Sequence, residues 1–191
     1  MKILLLFLSL FHQTIPALIP TVAPTPSSDR LLPPIAQFKE RITKKPFGVY
    51  ITPKSSPVQP EKFTGYHTGT DVEYQDITAD VPVFAITSGI VIFSGHVNGY
   101  GGVIIIRHQF QNKDLLALYG HLKPSSLIPK DSVVKAGDTI AILGKGFSSE
   151  TDGERKHLHF AILKSDKIDF RGYVQKQPEL AGWIDPLTLY N

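Results

Sequence analysis

The residues able to do chemistry in this chain of 191 residues gather in three short stretches. They are His67-Thr68-Gly69-Thr70-Asp71, Leu118-Tyr119-Gly120-His121-Leu122 and His157-Leu158-His159-Phe160. The last opens an apolar run, His157 to Leu163. In an extended strand, residues two apart share a face. Both imidazoles should then enter one space, while Leu158 and Phe160 enter a core. Two surface histidines on a half-buried strand would give the same pattern; the other reading is a metal or catalytic site.

His67 and Asp71 are four apart, and Gly69, Val72 and Tyr74 argue against a helix. In an extended segment that spacing again shares a face. Asp71 capping a turn is the competing reading. Adding His159 gives two imidazoles and one carboxylate, the donor count of a catalytic zinc site with its fourth position open to water. The chain has no cysteine, which excludes disulfides, thiolate metal sites and a cysteine nucleophile. A metal would be held by histidine and carboxylate, a set that suits zinc. His121 and His157 remain as a general base and a donor to a developing oxyanion or leaving amine. Strand alternation puts His157 near His159, but nothing in the sequence gives His121 a geometry. His108 reads as a strand-end residue, and His96 and His12 as incidental.

The elements around these stretches read as β-structure. The formal net charge of +3 is modest and its basic residues are scattered, so nucleic-acid binding fits poorly. Met1-Lys2 and the apolar stretch Ile3 to Phe11 resemble a secretory signal peptide. Residues 1–20 are therefore expected to be a signal peptide or an N-terminal membrane anchor, with no cysteine to carry a lipid. Residues 21–46, rich in Pro, Ser and Thr at first, are expected to be a linker and lead-in, with 35–42 a short helix or poorly ordered. Phe47 to Thr52 alternates and predicts a first strand. From Phe63 onward, short β-branched and aromatic runs alternate with glycine-containing turns. The runs 71–74, 82–86, 89–97, 102–109, 115–119, 139–143 and 157–164 predict strands, the spacing of an all-β sandwich or barrel. No stretch has the period of a long amphipathic helix.

Taken together, the motifs resemble the lysostaphin-like, or LytM-type, zinc metallopeptidases of bacterial cell walls. His67-Thr68-Gly69-Thr70-Asp71 matches that family's His-x-x-x-Asp, and His157-Leu158-His159 its His-x-His. Asn98-Gly99-Tyr100-Gly101-Gly102, Leu118 to Leu122, Lys135-Ala136-Gly137-Asp138, Ile142-Leu143-Gly144 and Trp183-Ile184-Asp185-Pro186 follow the same order. The resemblance covers residues 47–188 and marks 47–191 as the metallopeptidase domain. It implies a mostly antiparallel β-sandwich, barrel-sandwich-like and built on a duplicated hybrid motif, with a groove holding one zinc ion per chain. It implies His67, Asp71 and His159 as zinc ligands, with His121 and His157 flanking water and substrate carbonyl. The implied activity is that of an extracytoplasmic, monomeric endopeptidase on peptidoglycan peptides: secreted, periplasmic or wall-associated. Two other classes compete. A non-catalytic wall-binding or hydrolase-regulating module on the same fold would have no use for both His121 and His157. A biotinyl- or lipoyl-type carrier, suggested by Val134 to Asp138, would lack the Met-Lys-Met attachment turn. One departure stands out. The loop before His157, usually made of small residues, here reads Ser149 to Lys156, longer and charged, and should border the groove.

Overall fold

The computed structural model describes residues 30–111, 113–164 and 166–190. The leader expected over residues 1–20 lies outside them. Among the described residues no helix is long and apolar enough to cross a membrane. The regular elements among the described residues are twelve strands and four short 3-10 helices. The strands are β1 (Tyr50–Ile51), β2 (Gly65–His67), β3 (Thr70–Glu73), β4 (Pro82–Phe84), β5 (Gly89–Val97), β6 (Gly101–Phe110), β7 (Lys113–Leu122), β8 (Val133–Val134), β9 (Thr139–Ile142), β10 (His157–Leu163), β11 (Tyr173–Val174) and β12 (Trp183–Ile184).

The principal sheet runs β12-β10-β7-β6-β5-β8, with β3 also pairing β10. A three-stranded sheet β1-β2-β11 and a pair β4-β9 complete the fold, and every pairing between these strands is antiparallel. This is the mostly antiparallel β-sandwich that the motifs imply. Both faces of the principal sheet are covered. Along β6, Ile104 and Ile106 join one apolar cluster, and Val103 and Ile105 join the other. That is why β6 and β7 read as nearly continuous apolar runs rather than alternating ones. The alternation also sorts β10: Leu158, Phe160 and Ile162 enter the first cluster, Ala161 and Leu163 the second. His157 and His159 therefore extend the second face.

Two stretches differ from the sequence reading. The first strand shrinks from 47–52 to Tyr50–Ile51, because Gly48 adopts φ +76 and its N–H bonds the His67 carbonyl at 2.9 Å instead of continuing a ladder. Residues 31–46, read above as the end of a lead-in, pack against the body. Leu31, Ile35 and Phe38 are buried in the first cluster, and burying each such side chain contributes about 1.5–3 kcal/mol. Prolines at the start of this stretch conceal that apolar spacing.

His108 lies near the end of β6 and points inward. It is fully buried, with Nε2 3.0 Å from the Tyr119 hydroxyl and Nδ1 3.3 Å from the Ser88 carbonyl. Burial pushes its pKa from 6.5 down to about 4. A histidine with a depressed folded-state value stabilises the fold above its unfolded pKa and loses that stability as pH falls from 6.5 to about 4. His108→Ala should cost about 3 kcal/mol through the cavity and the stranded Tyr119 hydroxyl. His108→Gln should flatten the loss of stability on acidification. Urea midpoints measured across pH 4–7 check this; an unchanged acid slope in His108→Gln would count against it.

Candidate metal centre and active site

Register builds the site. In the β3–β10 pair, Asp71 faces His159 and Glu73 faces His157. Val72 between the two acids and Leu158 between the two histidines turn into the apolar core. His67 ends β2, and its ring is brought beside His159, with centroids 4.9 Å apart. Gly69 permits the approach: a Cβ there would meet the Phe160 carbonyl oxygen at 2.6 Å and His159 Nε2 at 2.8 Å.

Three donor atoms converge. His67 Nε2 lies 3.0 Å from His159 Nδ1 and 3.2 Å from Asp71 Oδ1, and His159 Nδ1 lies 3.1 Å from the same oxygen. A tetrahedral zinc ion with bonds of about 2.0–2.1 Å sets its ligand atoms roughly 3.3 Å apart. The triangle therefore has the right size, and the residues fit a metal ion in chemistry too. A carbonyl can only accept, so His67 Nδ1, 3.2 Å from the Pro46 carbonyl, carries the proton and leaves Nε2 as a lone-pair donor. Burial lowers the pKa of His159 despite the nearby Asp71, keeping it neutral. Burial pushes the Asp71 carboxyl up, but His67, His157 and His159 outweigh it and hold it well below the usual range. Neutral imidazoles and an ionised carboxylate are the protonation states that metal binding requires. His159 Nε2 is buried without a hydrogen-bond partner.

His121 reaches the same space by a route the sequence concealed. In the β6–β7 ladder Gly102 pairs with Leu122 and Val103 with Gly120, so His121 is the unopposed residue of a bulge. Its φ is +60. The bulge lets Tyr119 and Leu122 both face the first core and turns His121 toward the site. Its ring lies 4.2 Å from that of His157, centroid to centroid. Two carbonyls of the 147–156 loop orient this pair. His157 Nδ1 donates to the Arg155 carbonyl at 2.9 Å and His121 Nδ1 to the Thr151 carbonyl at 3.3 Å. Each ring thus keeps its lone pair on Nε2, and His157 Nε2 sits 3.5 Å from Asp71 Oδ2. Burial drives His121 down to about 3 and His157 well below its usual value, so both are neutral.

A groove of about 470 Å³ opens over Asp71, His121, His157 and His159. Sequence reasoning missed several of its residues. Tyr100 lies between His121 and His159, with ring centroids 5.3 and 5.2 Å away, and its buried hydroxyl has no partner. Tyr173 stacks on His67 at 5.1 Å and accepts from Lys45 Nζ at 3.1 Å. Lys45 is buried against Glu61. Residues 41–46 also supply backbone: the carbonyls of Arg41 and Lys45 accept from the N–H groups of Glu73 and Asp71, each at 3.0 Å. Tyr100 was visible only as a member of the Asn98 to Gly102 motif, and Tyr173 carried no signal.

The chain is thus a mostly antiparallel sandwich with a buried two-histidine, one-carboxylate set that could hold a metal ion under a groove. The chain belongs to peptidase family M23, whose model matches residues 65–170. This is the lysostaphin/LytM-type family that the motifs resemble. Lipoprotein NlpD of Yersinia enterocolitica is 40% identical over 87 residues, 45% of this chain and 80% of that protein. DD-carboxypeptidase/endopeptidase Mpg of Neisseria meningitidis is 30% identical over 115 residues, 60% of this chain but 24% of that protein. The solved structure of LytU superposes with a TM-score of 0.50 and 28% identity, covering 76% of this chain and 81% of that one.

The purified protein should take up close to one zinc ion per chain, and His67→Ala, Asp71→Ala or His159→Ala should each lower that occupancy. Metal analysis after dialysis is the check, and full occupancy in all three variants would exclude this donor set.

Proposed function

We propose that the protein is a zinc metalloendopeptidase that hydrolyses peptide bonds of bacterial peptidoglycan outside the cytoplasm. The observation that carries this reading is the pair His121 and His157, neutral and tautomerically fixed beside a donor set suited to zinc. His67, Asp71 and His159 would hold the ion. A zinc ion held there would supply an acidified water, with a pKa of about 7, and would polarise a carbonyl. The chain's own residues handle the protons. His157 can accept a proton at Nε2 while its Nδ1–H stays on the Arg155 carbonyl, so the imidazolium is stabilised as it forms. His121 has the same arrangement against Thr151. With the rings 4.2 Å apart, protonating one opposes protonating the other, and the pair carries one proton at a time between water and leaving amine. The alternative of a binding or regulatory module leaves both fixed lone pairs without a task. A peptidoglycan substrate is supported by family membership and by Mpg's designation as a carboxypeptidase/endopeptidase.

Incubation with purified peptidoglycan should release new amine termini at peptide bonds, and a chelator should stop it. His121→Ala and His157→Ala should each lower the rate by about 10²–10⁴-fold while zinc content stays near that of the parent. The double variant should fall by less than the product, since both serve one transition state. Full turnover by zinc-loaded His121→Ala would break the two-histidine mechanism. Export is tested separately by cell fractionation; an intact chain confined to the cytoplasm would refute the location.

A further inference from the structure

Arg155 occupies a place where the resemblance leads one to expect a small residue. Its side chain turns inward and is 3% exposed. Nη2 donates to Asp71 Oδ2 at 2.8 Å and to Glu73 Oε1 at 2.6 Å, and Nε donates to Glu73 Oε2 at 2.8 Å. Asp71 and Glu73 share a face of β3, opposite His159 and His157. The two oxygens of Asp71 are thereby divided. Oδ1 faces His67 and His159, the converging donors, while Oδ2 is taken by the guanidinium.

The division has chemical consequences. A free carboxylate can chelate a metal ion with both oxygens or rotate away from it. A planar guanidinium engaged at three points by buried acids is rigid, and an oxygen bound to it is unavailable. Glu73 has its own part. Arg155 alone would neutralise the charge of Asp71, which a metal ion needs; Glu73 supplies the counter-charge to Arg155 and leaves that of Asp71 available. We propose that the buried Arg155–Glu73 pair is a positioning clamp that holds Asp71 Oδ2 and commits Asp71 to binding a metal ion through Oδ1 alone. The clamp rests on the metal-centre reading above. The same Arg155 aims His157 through its carbonyl, so one residue sets both the carboxylate ligand and its neighbouring base.

Arg155→Met alone strands two buried carboxylates and can fail to fold for that reason. The test therefore uses the full chain with the uncharged pair Arg155→Met/Glu73→Gln, and separately Arg155→Lys, which keeps the charge and loses the planar fork. Folding is followed by the cooperativity of thermal unfolding of the metal-free proteins. Zinc affinity is measured by competition with a chelating dye, and the coordination number by the visible spectrum of the cobalt(II) forms. The double variant should fold yet bind zinc about 10–100-fold more weakly. Its cobalt band should weaken as Asp71 becomes free to chelate and the ion gains a ligand. Arg155→Lys should lie between it and the parent. Variants that fold, keep zinc affinity within about threefold of the parent and leave the cobalt band unchanged would overturn the clamp. A parent protein that takes up neither metal would instead overturn the metal centre, and the clamp with it.

Discussion

The antiparallel pairing of β3 with β10 is the constraint on which the site depends. Four successive residues on each strand are in register; those of β10 alternate polar and apolar throughout, and those of β3 do so from Asp71 to Glu73. Asp71 and Glu73 meet His159 and His157 on one face; Val72, Leu158 and Phe160 occupy the other, buried in the first core. A slip of one residue on either strand would drive its ionisable side chains into that core and expel its apolar ones. Each of the displaced apolar side chains contributes about 1.5–3 kcal/mol by its burial, and a misplaced carboxylate would add several more of cost. The hydrophobic effect, which knows nothing of metals, therefore enforces the alignment of the donors.

The electrostatics of the cluster then follow from burial. Imidazoles removed from water stay neutral, and His121, His157 and His159 all have lowered pKa values for that reason first. Among the fully buried acids and bases of the site, Arg155 is matched by Glu73 and Lys45 by Glu61. Asp71 takes a hydrogen bond from Arg155 at Oδ2 and turns Oδ1 to the facing nitrogens of His67 and His159. An anion so placed offers its charge to a cation held between it and the imidazoles, in agreement with the size of the donor triangle.

Much of this was legible in the sequence, for physical reasons that can be named. His157-Leu158-His159-Phe160 sits on a strand buried on both sides, so period-two alternation assigns its faces without knowledge of the partner strand. Histidine, carboxylate and the absence of cysteine restricted the donor chemistry. His121 was placed by motif alone, because a bulge abolishes the alternation that would have predicted its direction, and bulges have no signal in a run such as Leu118 to Leu122. Arg155 and Glu73 read as members of a charged loop and a strand end; their burial exists only because each supplies the other's counter-charge across the β3–β10 pair. The contribution of residues 41–46 was hidden for a different reason. It is made by backbone carbonyls, and these are the same whatever side chains the segment carries.

The loop 147–156 shows why a full complement of site residues does not by itself make a site. Its carbonyls at Thr151 and Arg155 determine which nitrogen of His121 and of His157 bears the proton. The loop is itself fastened: the Thr151 hydroxyl donates to the Glu154 carbonyl at 2.6 Å, and Asp152 Oδ2 accepts from the Gly99 N–H at 2.6 Å, across from the β5–β6 turn. If the loop were shifted by one residue, both histidines would remain in place by their strands, yet either ring could present N–H instead of a lone pair to the groove. The proposed proton transfer would stop although neither histidine side chain had been lost. In this fold the strands therefore decide where the chemistry stands, and the loop decides whether the groups standing there are in the state that can perform it.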